Sequence, residues 1–298
     1  MKKILTLSMI ALLTLQQNNV AEANWEKPTL AYGAGLSASQ KQEVNDLLDT
    51  DSASVTQKIT TSKDVEKYLR VSGTSDANLY SSTLVTKTSK TGVDVNIKTP
   101  SNITKITEKQ YANAAITAGA KNVTIDVASP IKVTGESALT GVYIALAANG
   151  ETLDVKRTVV AQQELETVNE IATVNKNKEN FNAETLDVAV TEIKQELAKH
   201  KGQATEENVR NIVNGALENN GLTDVVTKEQ IDKLVTFAKA YQQTDAITSD
   251  EVAKQLSAFK SETESYIKEN YGEKLEEAKS GISSFFESIW KAITNLFA

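Results

Sequence analysis

The stretch that decides the fold is Val123-Thr124-Ile125-Asp126-Val127-Ala128, followed by Ser129-Pro130-Ile131-Lys132-Val133-Thr134-Gly135-Glu136-Ser137 and then Ala138-Leu139-Thr140-Gly141-Val142-Tyr143. Val123, Ile125 and Val127 alternate with Thr124 and Asp126, which is the period of a strand with one buried face. Pro130 and Gly135 then interrupt any regular element. The small, largely apolar run from Ser137 to Ala148 reads as a helix. A strand, a corner and a helix in succession mark mixed α and β structure.

Working upstream, Val93, Val95 and Ile97 alternate with Asp94, Asn96 and Lys98, and Ser82 to Thr88 is also strand-like. Ser89-Lys90-Thr91-Gly92 lies between them, so the pair reads as a hairpin with one wet face. Thr107 with Gln110 has the spacing of a capping box, opening a helix through Tyr111, Ala114, Ala115 and Ala118 that Gly119 ends. Ser37 with Gln40 opens another, with Val44, Leu47 and Leu48 on one face. Val55, Gln57 and Ile59 suggest a short strand, and Ser62 caps a helix running to Leu69.

Downstream of residue 151 the strand pattern stops, except that Val155 to Val160 reads as a segment able to complete the sheet. Apolar residues recur at helical spacing in Leu186, Ala189, Ile193 and Leu197, in Val209, Ile212, Val213 and Leu217, and in Ile231, Leu234, Val235 and Ala238. Thr227 with Gln230 and Thr248 with Glu251 mark helix starts. Asn175 to Asn180 is polar and reads as a flexible joint. The expected fold class is α+β: an N-terminal mixed sheet with covering helices, followed by an all-helical C-terminal region. The divisions are a signal peptide at 1–23, an α+β domain at 24–160, a helical domain at 161–272 and an amphipathic C-terminal helix at 273–298.

Composition removes many chemistries. The chain has 298 residues, 40% apolar and 24% charged, with no Cys and one His. Disulfides, thiol nucleophiles, Cys-bound metals and multi-His metal sites are therefore excluded. The formal charge is −7, and the acidic excess lies wholly beyond residue 150, which argues against a nucleic-acid partner. His200 sits between Lys199 and Lys201 at an expected helix end, where a cation favours the dipole and the solvent. Paired acids such as Glu164 with Glu166 read as solvated helix faces. Asp49-Thr50-Asp51 begins like a calcium loop, but Ala53 replaces a ligand. No catalytic residue, metal site or cofactor is expected.

The two chain ends carry the localisation signals. Met1-Lys2-Lys3, an apolar run from Ile4 to Leu15 and Ala21-Glu22-Ala23 form a secretory signal peptide. The run is shorter than the about 20 residues a membrane-crossing helix needs. Cleavage near Ala23 predicts a secreted, extracellular or cell-envelope-associated protein. At the other end, Ile282, Phe285, Phe286, Ile289, Trp290, Ile293 and Phe297 fall with Leu296 on one helical face, within an arc of about 140° at about 100° per residue. Such a face closes the protein's own core, lies in a membrane interface, or docks on a protein partner or a second copy of the chain.

Ser129, Thr134, Gly135, Glu136 and Ser137 are the ligand-binding candidates, because a helix start beside a glycine corner offers free amides to an anion. Leu139 replaces the second glycine of a nucleophile elbow, and no Gly-Lys-Ser/Thr follows, so neither an esterase nor a phosphate-loop motif is present. The alternative is a turn whose glycines serve packing.

Three segments carry a family likeness: Leu36-Ser37-Ala38-Ser39-Gln40-Lys41-Gln42, then Tyr111-Ala112-Asn113-Ala114 with Ala118-Gly119, and above all Ala128 to Tyr143. Ile212-Val213, Asn220, Leu222-Thr223 and Gln230 extend it. These resemble YpuA-type exported proteins of Gram-positive bacteria, a domain of unknown function, from about Leu36 to about Gln242. The resemblance implies a secreted or envelope protein and supplies no reaction, ligand or catalytic residue. The function expected is a non-enzymatic binding or interaction protein that docks through its C-terminal helix. The alternative is an extracellular enzyme acting on a cell-wall or other envelope substrate, with its site near residues 129–141.

Overall fold

Alternating strand residues and self-capped helices follow one another in the order β1 (Thr29–Gly33), α1 (Ala38–Leu47), β2 (Thr56–Thr60), α2 (Ser62–Leu69), β3 (Ser82–Lys87), β4 (Val93–Ile97), α3 (Glu108–Ala118), β5 (Val123–Ala128) and α4 (Ala138–Ala148). Only helices come next: α5 (Val155–Asn175), α6 (Ala183–Lys199), α7 (Glu206–Asn219), α8 (Lys228–Tyr241) and α9 (Asp250–Lys279). The computed structural model describes residues 25–279, with side chains through Tyr271. The expected leader at 1–23 and the apolar positions Ile282 to Phe297 lie outside the described residues.

The strands form one mixed sheet in the order β2-β1-β3-β5-β4. β1 runs parallel to β2, and β4 parallel to β5, so α1 and α3 are the crossovers of two β-α-β units. β3 joins the units as the antiparallel neighbour of both β1 and β5. The expected hairpin of Ser82–Thr88 with Val93–Lys98 is therefore corrected: β5 lies between the two strands. Alternation tells which face is buried but not which strand lies alongside. In the observed register Val93, Val95 and Ile97 stand beside Val123, Ile125 and Val127. That gives α3 a continuous apolar floor.

One core continues from this floor through the helices, from Val65 on α2 and Ile116 on α3 to Leu165 on α5, Ile193 on α6 and Phe259 on α9. The opposite sheet face is covered by α1 only over its β1 side, where Leu30, Tyr32, Val44, Leu48 and Leu84 cluster. Over β4 and β5 that face is wet, and Asn96 Nδ2 donates to Asp126 Oδ1 at 2.7 Å.

Local capping is largely as expected, with Ser37, Thr107 and Thr227 each closing a capping box with a Gln. Three starts are corrected. Thr61 rather than Ser62 caps α2, because Asp64 returns the bond to its amide at 2.9 Å. Ser249 rather than Thr248 caps α9, its hydroxyl accepting the Val252 amide of the first turn at 3.2 Å. Val155 to Val160 is the first turn and a half of α5 rather than a strand, since Asp154 caps it by accepting from Lys156 N at 2.7 Å. α5 thus runs across the expected division at residue 160. The segment Asn175–Asn180 is tied down: Asn175 Nδ2 donates to Ile171 O at 2.7 Å and Gln230 Oε1 at 3.1 Å, and Lys178 Nζ to Val225 O at 2.7 Å.

Gly141 sets the distance between α4 and the sheet. A Cβ there would lie 2.8 Å from Thr83 Oγ1, 3.1 Å from Thr83 Cβ and 3.5 Å from Ala31 Cβ. Thr83 has little room to yield, because its hydroxyl donates to Ala138 O at 3.0 Å. Gly141→Ala is expected to destabilise by about 1–3 kcal/mol through overpacking, despite the better helix propensity of Ala. Thermal denaturation checks this, and an unchanged or raised Tm would show that α4 lifts freely off β3.

Candidate functional site

The Ser129–Ser137 corner is built mainly from bonds to the fold. The Ser129 amide donates to Thr99 Oγ1 at 3.0 Å, its hydroxyl to Ile131 O at 2.8 Å, and its carbonyl accepts from Asn102 Nδ2 at 2.8 Å. Gly135 has φ +101°, and a Cβ there would meet Tyr111 Oη at 2.5 Å and Ile103 Cγ2 at 2.8 Å. Its carbonyl accepts the buried Tyr111 hydroxyl at 2.5 Å. Thr134 and Glu136 bond to each other at 3.2 Å on the surface. Ser137 precedes α4 without a side-chain bond to its amides. The corner brings Thr134 and Glu136 together and turns the polar groups of Ser129 and Gly135 inward.

A concavity lies elsewhere, along the outer edge of β4. A groove of about 700 Å³ is lined by β4, the start of α3, Glu184 on α6, and Glu262 and Tyr266 on α9. The size is that of a small-ligand site. Val123 N donates to Gly92 O at 3.2 Å and Lys98 N to Val127 O at 2.9 Å. In a parallel ladder this phase turns alternate residues toward β5 and leaves the amides and carbonyls of Val93, Val95 and Ile97 facing the groove. The Ile97 amide is taken by Glu108 Oε1 at 2.8 Å. Glu262 holds Lys109 at 2.7 Å and Lys90 at 3.6 Å, and Lys90 also meets Asp94 at 3.3 Å. With Asp94, Glu108, Glu184 and Glu262 against Lys90 and Lys109, the lining is net acidic.

A third constellation is buried where α3, α5 and α6 meet. Lys194 is 0% exposed and Glu164 1%. Lys194 Nζ donates to Glu164 Oε1 at 2.7 Å, Thr117 Oγ1 at 3.1 Å, Asn113 Oδ1 at 2.5 Å and the Asn113 carbonyl at 3.3 Å. Thr117 in turn donates to Glu164 Oε2 at 2.5 Å. Burial pushes the Lys194 ammonium down and the Glu164 carboxyl up, and their mutual attraction opposes both shifts. Asp187 is fully buried, and neither carboxyl oxygen has a partner among the described residues. Burial, reinforced by Glu184 and Glu164, holds its carboxyl well above the ordinary range.

This cluster is what sequence reasoning missed. Glu166 is exposed as expected, but Glu164 is not, because residues two apart on a helix point about 200° apart. A signal was present: Asp187, Thr191 and Lys194 recur at i, i+4 and i+7 beside the apolar stripe of α6, so one helix side is polar yet flanks the core. His200 ends α6, as expected. Asp51 Oδ1 accepts from Ala53 N at 2.6 Å and Ser54 N at 3.0 Å, so its carboxylate closes the turn that follows it. Among the described residues no group of three or more acidic or His side chains is placed to hold a metal ion.

An α+β chain with this layered core belongs to the DUF1002 family of proteins of unknown function, whose profile matches residues 32–259. It is similar to the uncharacterized protein YpuA of Bacillus subtilis (strain 168), at 29% identity over 306 residues and 100% of both chains. No solved structure matches it.

The raised carboxyl of Asp187 fixes the sign of a pH effect. The folded state holds its proton more tightly than the unfolded chain, which loses it above the ordinary aspartate value of 3.8. Stability from this group is full below that pH and declines as pH rises toward the folded value. Denaturant titrations between about pH 4 and pH 8 should therefore show less decline in stability for Asp187→Asn than for the parent chain. Parallel curves would mean that Asp187 ionises in the fold.

Proposed function

We propose that the chain is an exported, envelope-associated binding protein that captures an extended, basic peptide segment along β4. The observation that carries this reading is the open edge of β4 inside a net acidic groove. An extended segment adds there as a sixth strand, its backbone satisfying Val93 and Val95 and a Lys or Arg side chain reaching Glu184 or Asp94. Export rests on the leader-like residues 1–23. The helically spaced apolar and aromatic pattern of Ile282, Phe285, Phe286, Ile289, Trp290, Ile293 and Phe297 in the amino-acid sequence supports attachment to a membrane surface or partner.

Two measurements test this. Fluorescence anisotropy with synthetic alternating hexapeptides should show binding of those carrying Lys, at least tenfold weaker binding of their Glu counterparts, and at least tenfold loss on Glu184→Lys combined with Asp94→Lys. Equal affinity for basic and acidic peptides would overturn the peptide reading. In fractionated host cells the full chain should be found outside the cytoplasm with residues 1–23 removed, and deletion of residues 281–298 should shift it from the envelope to the medium. Retention of intact Met1 in the cytoplasm would overturn export, and unchanged envelope association after the deletion would overturn docking through the terminal face.

A further inference from the structure

We propose that Lys194 and Asn113 are joined by an isopeptide bond formed within the folded chain, with Glu164 as the proton-transfer group. The site is assembled from three helices. Asn113 stands on α3, Glu164 on α5 and Lys194 on α6, and 81 residues separate the amine from the carboxamide. Lys194 Nζ lies 2.5 Å from Asn113 Oδ1, closer than an ordinary amine-to-amide hydrogen bond. The electrophilic Cγ is one bond beyond that oxygen. The Asn113 amide nitrogen is turned away from the amine, donating to the Asp187 carbonyl at 3.1 Å. Oδ1 also accepts the Thr191 hydroxyl at 3.3 Å. The carboxamide is thus held with its carbonyl toward the lysine, and the Thr191 hydroxyl, whose shorter bond goes to the Asp187 carbonyl at 2.8 Å, stands within reach of its oxygen.

An ammonium has no lone pair, so the amine must first lose a proton. Glu164 Oε1, 2.7 Å away, is the acceptor. In a fully buried site that transfer replaces two costly charges by a neutral amine and a neutral acid. Thr117, bonded to both groups, keeps Glu164 in place. The Nζ lone pair then forms a bond to Asn113 Cγ, and negative charge develops on Oδ1, toward which the Thr191 hydroxyl can turn from the Asp187 carbonyl. Glu164 passes its proton to Nδ2, the bond from Cγ to Nδ2 breaks, and the carbonyl re-forms. A second proton leaves Nζ through Glu164 and departs with the ammonia as ammonium. The sum is lysine ammonium plus asparagine carboxamide giving a secondary amide plus ammonium, with no oxidant or added reactant. The product bolts the helix on the sheet to the outer helical layer, in a chain that has no cysteine for a disulfide.

Intact-mass measurement of the denatured full chain, after the folded protein has been incubated to constant mass, tests the bond. The mass should fall short of the sequence mass by one ammonia, and proteolysis should yield one branched peptide joining the Asn113 and Lys194 segments. Folded protein at the full sequence mass, with no branched peptide, would overturn the proposal without any variant. Lys194→Met should retain the ammonia and lower the Tm while keeping the helical circular dichroism signal. Glu164→Gln should fold with the ammonia retained or lost at least a hundredfold more slowly; cross-linking at the parent rate would overturn the role given to Glu164.

Discussion

Helix α3 has no face left for water, and the rest of the structure is arranged around that constraint. Every residue from Gln110 to Ala118 is buried. On one side lie the apolar residues of β4 and β5, and on the other α5, α6 and α9. A helix enclosed in this way must be slender, which its run of alanines provides, and each of its polar side chains must find a partner inside the protein. Asn113 and Thr117 lie one turn apart on the side facing away from the sheet. Their partners are Lys194 and Glu164, so a buried ion pair is the consequence of placing two polar residues in an enclosed helix. In the noncovalent pair, before any bond to Asn113 forms, removing one charge leaves the other buried and uncompensated, which costs about 3–5 kcal/mol. The pair therefore fixes the register of α5 and α6 against α3.

The same constraint explains what the amino-acid sequence reveals and what it hides. Capping boxes are contained within four residues, so Ser37 with Gln40, Thr107 with Gln110 and Thr227 with Gln230 are legible without any tertiary knowledge. Alternation in Val93–Ile97 and Val123–Val127 shows two half-buried strands for the same reason. Sheet order is a different kind of information. Nothing local to Ser89–Gly92 distinguishes a turn between neighbours from a loop that skips a position, and the choice is made by α3, which needs both apolar rows beneath it. The buried cluster was less legible still. Lys194 and Glu164 are the residue types most often found in water, and only their meeting across α5 and α6 makes them interior residues.

The corner between β5 and α4 shows how packing alone can constrain a motif. Gly135 brings Ile103 and Tyr111 against its backbone, and Gly141 lets α4 settle on Thr83 and Ala31. Both positions forbid a side chain for reasons of contact. Ser129 ties the end of β5 to the loop before α3 through Thr99 and Asn102. These residue identities follow from helix-to-sheet packing alone. A corner built so tightly fixes where β5 ends, and with it the register of β4, its parallel neighbour.

That register determines the character of the open edge. An unpaired strand edge attracts any extended chain, and proteins commonly guard such edges with charge. β4 is guarded by position: Lys90 and Lys98 flank it, and Glu108 closes the Ile97 amide. The Val93 and Val95 groups between these guards face a groove whose opposite wall is α9. An incoming segment must be short and extended, and it must carry charge that suits Asp94, Glu184 and Glu262, because every carboxylate it covers loses water and needs a partner in return. On the proposed reading, an edge restricted in this way selects among chains rather than adhering to all of them. The discrimination comes from the desolvation of three acids and not from the backbone hydrogen bonds, which any peptide can supply.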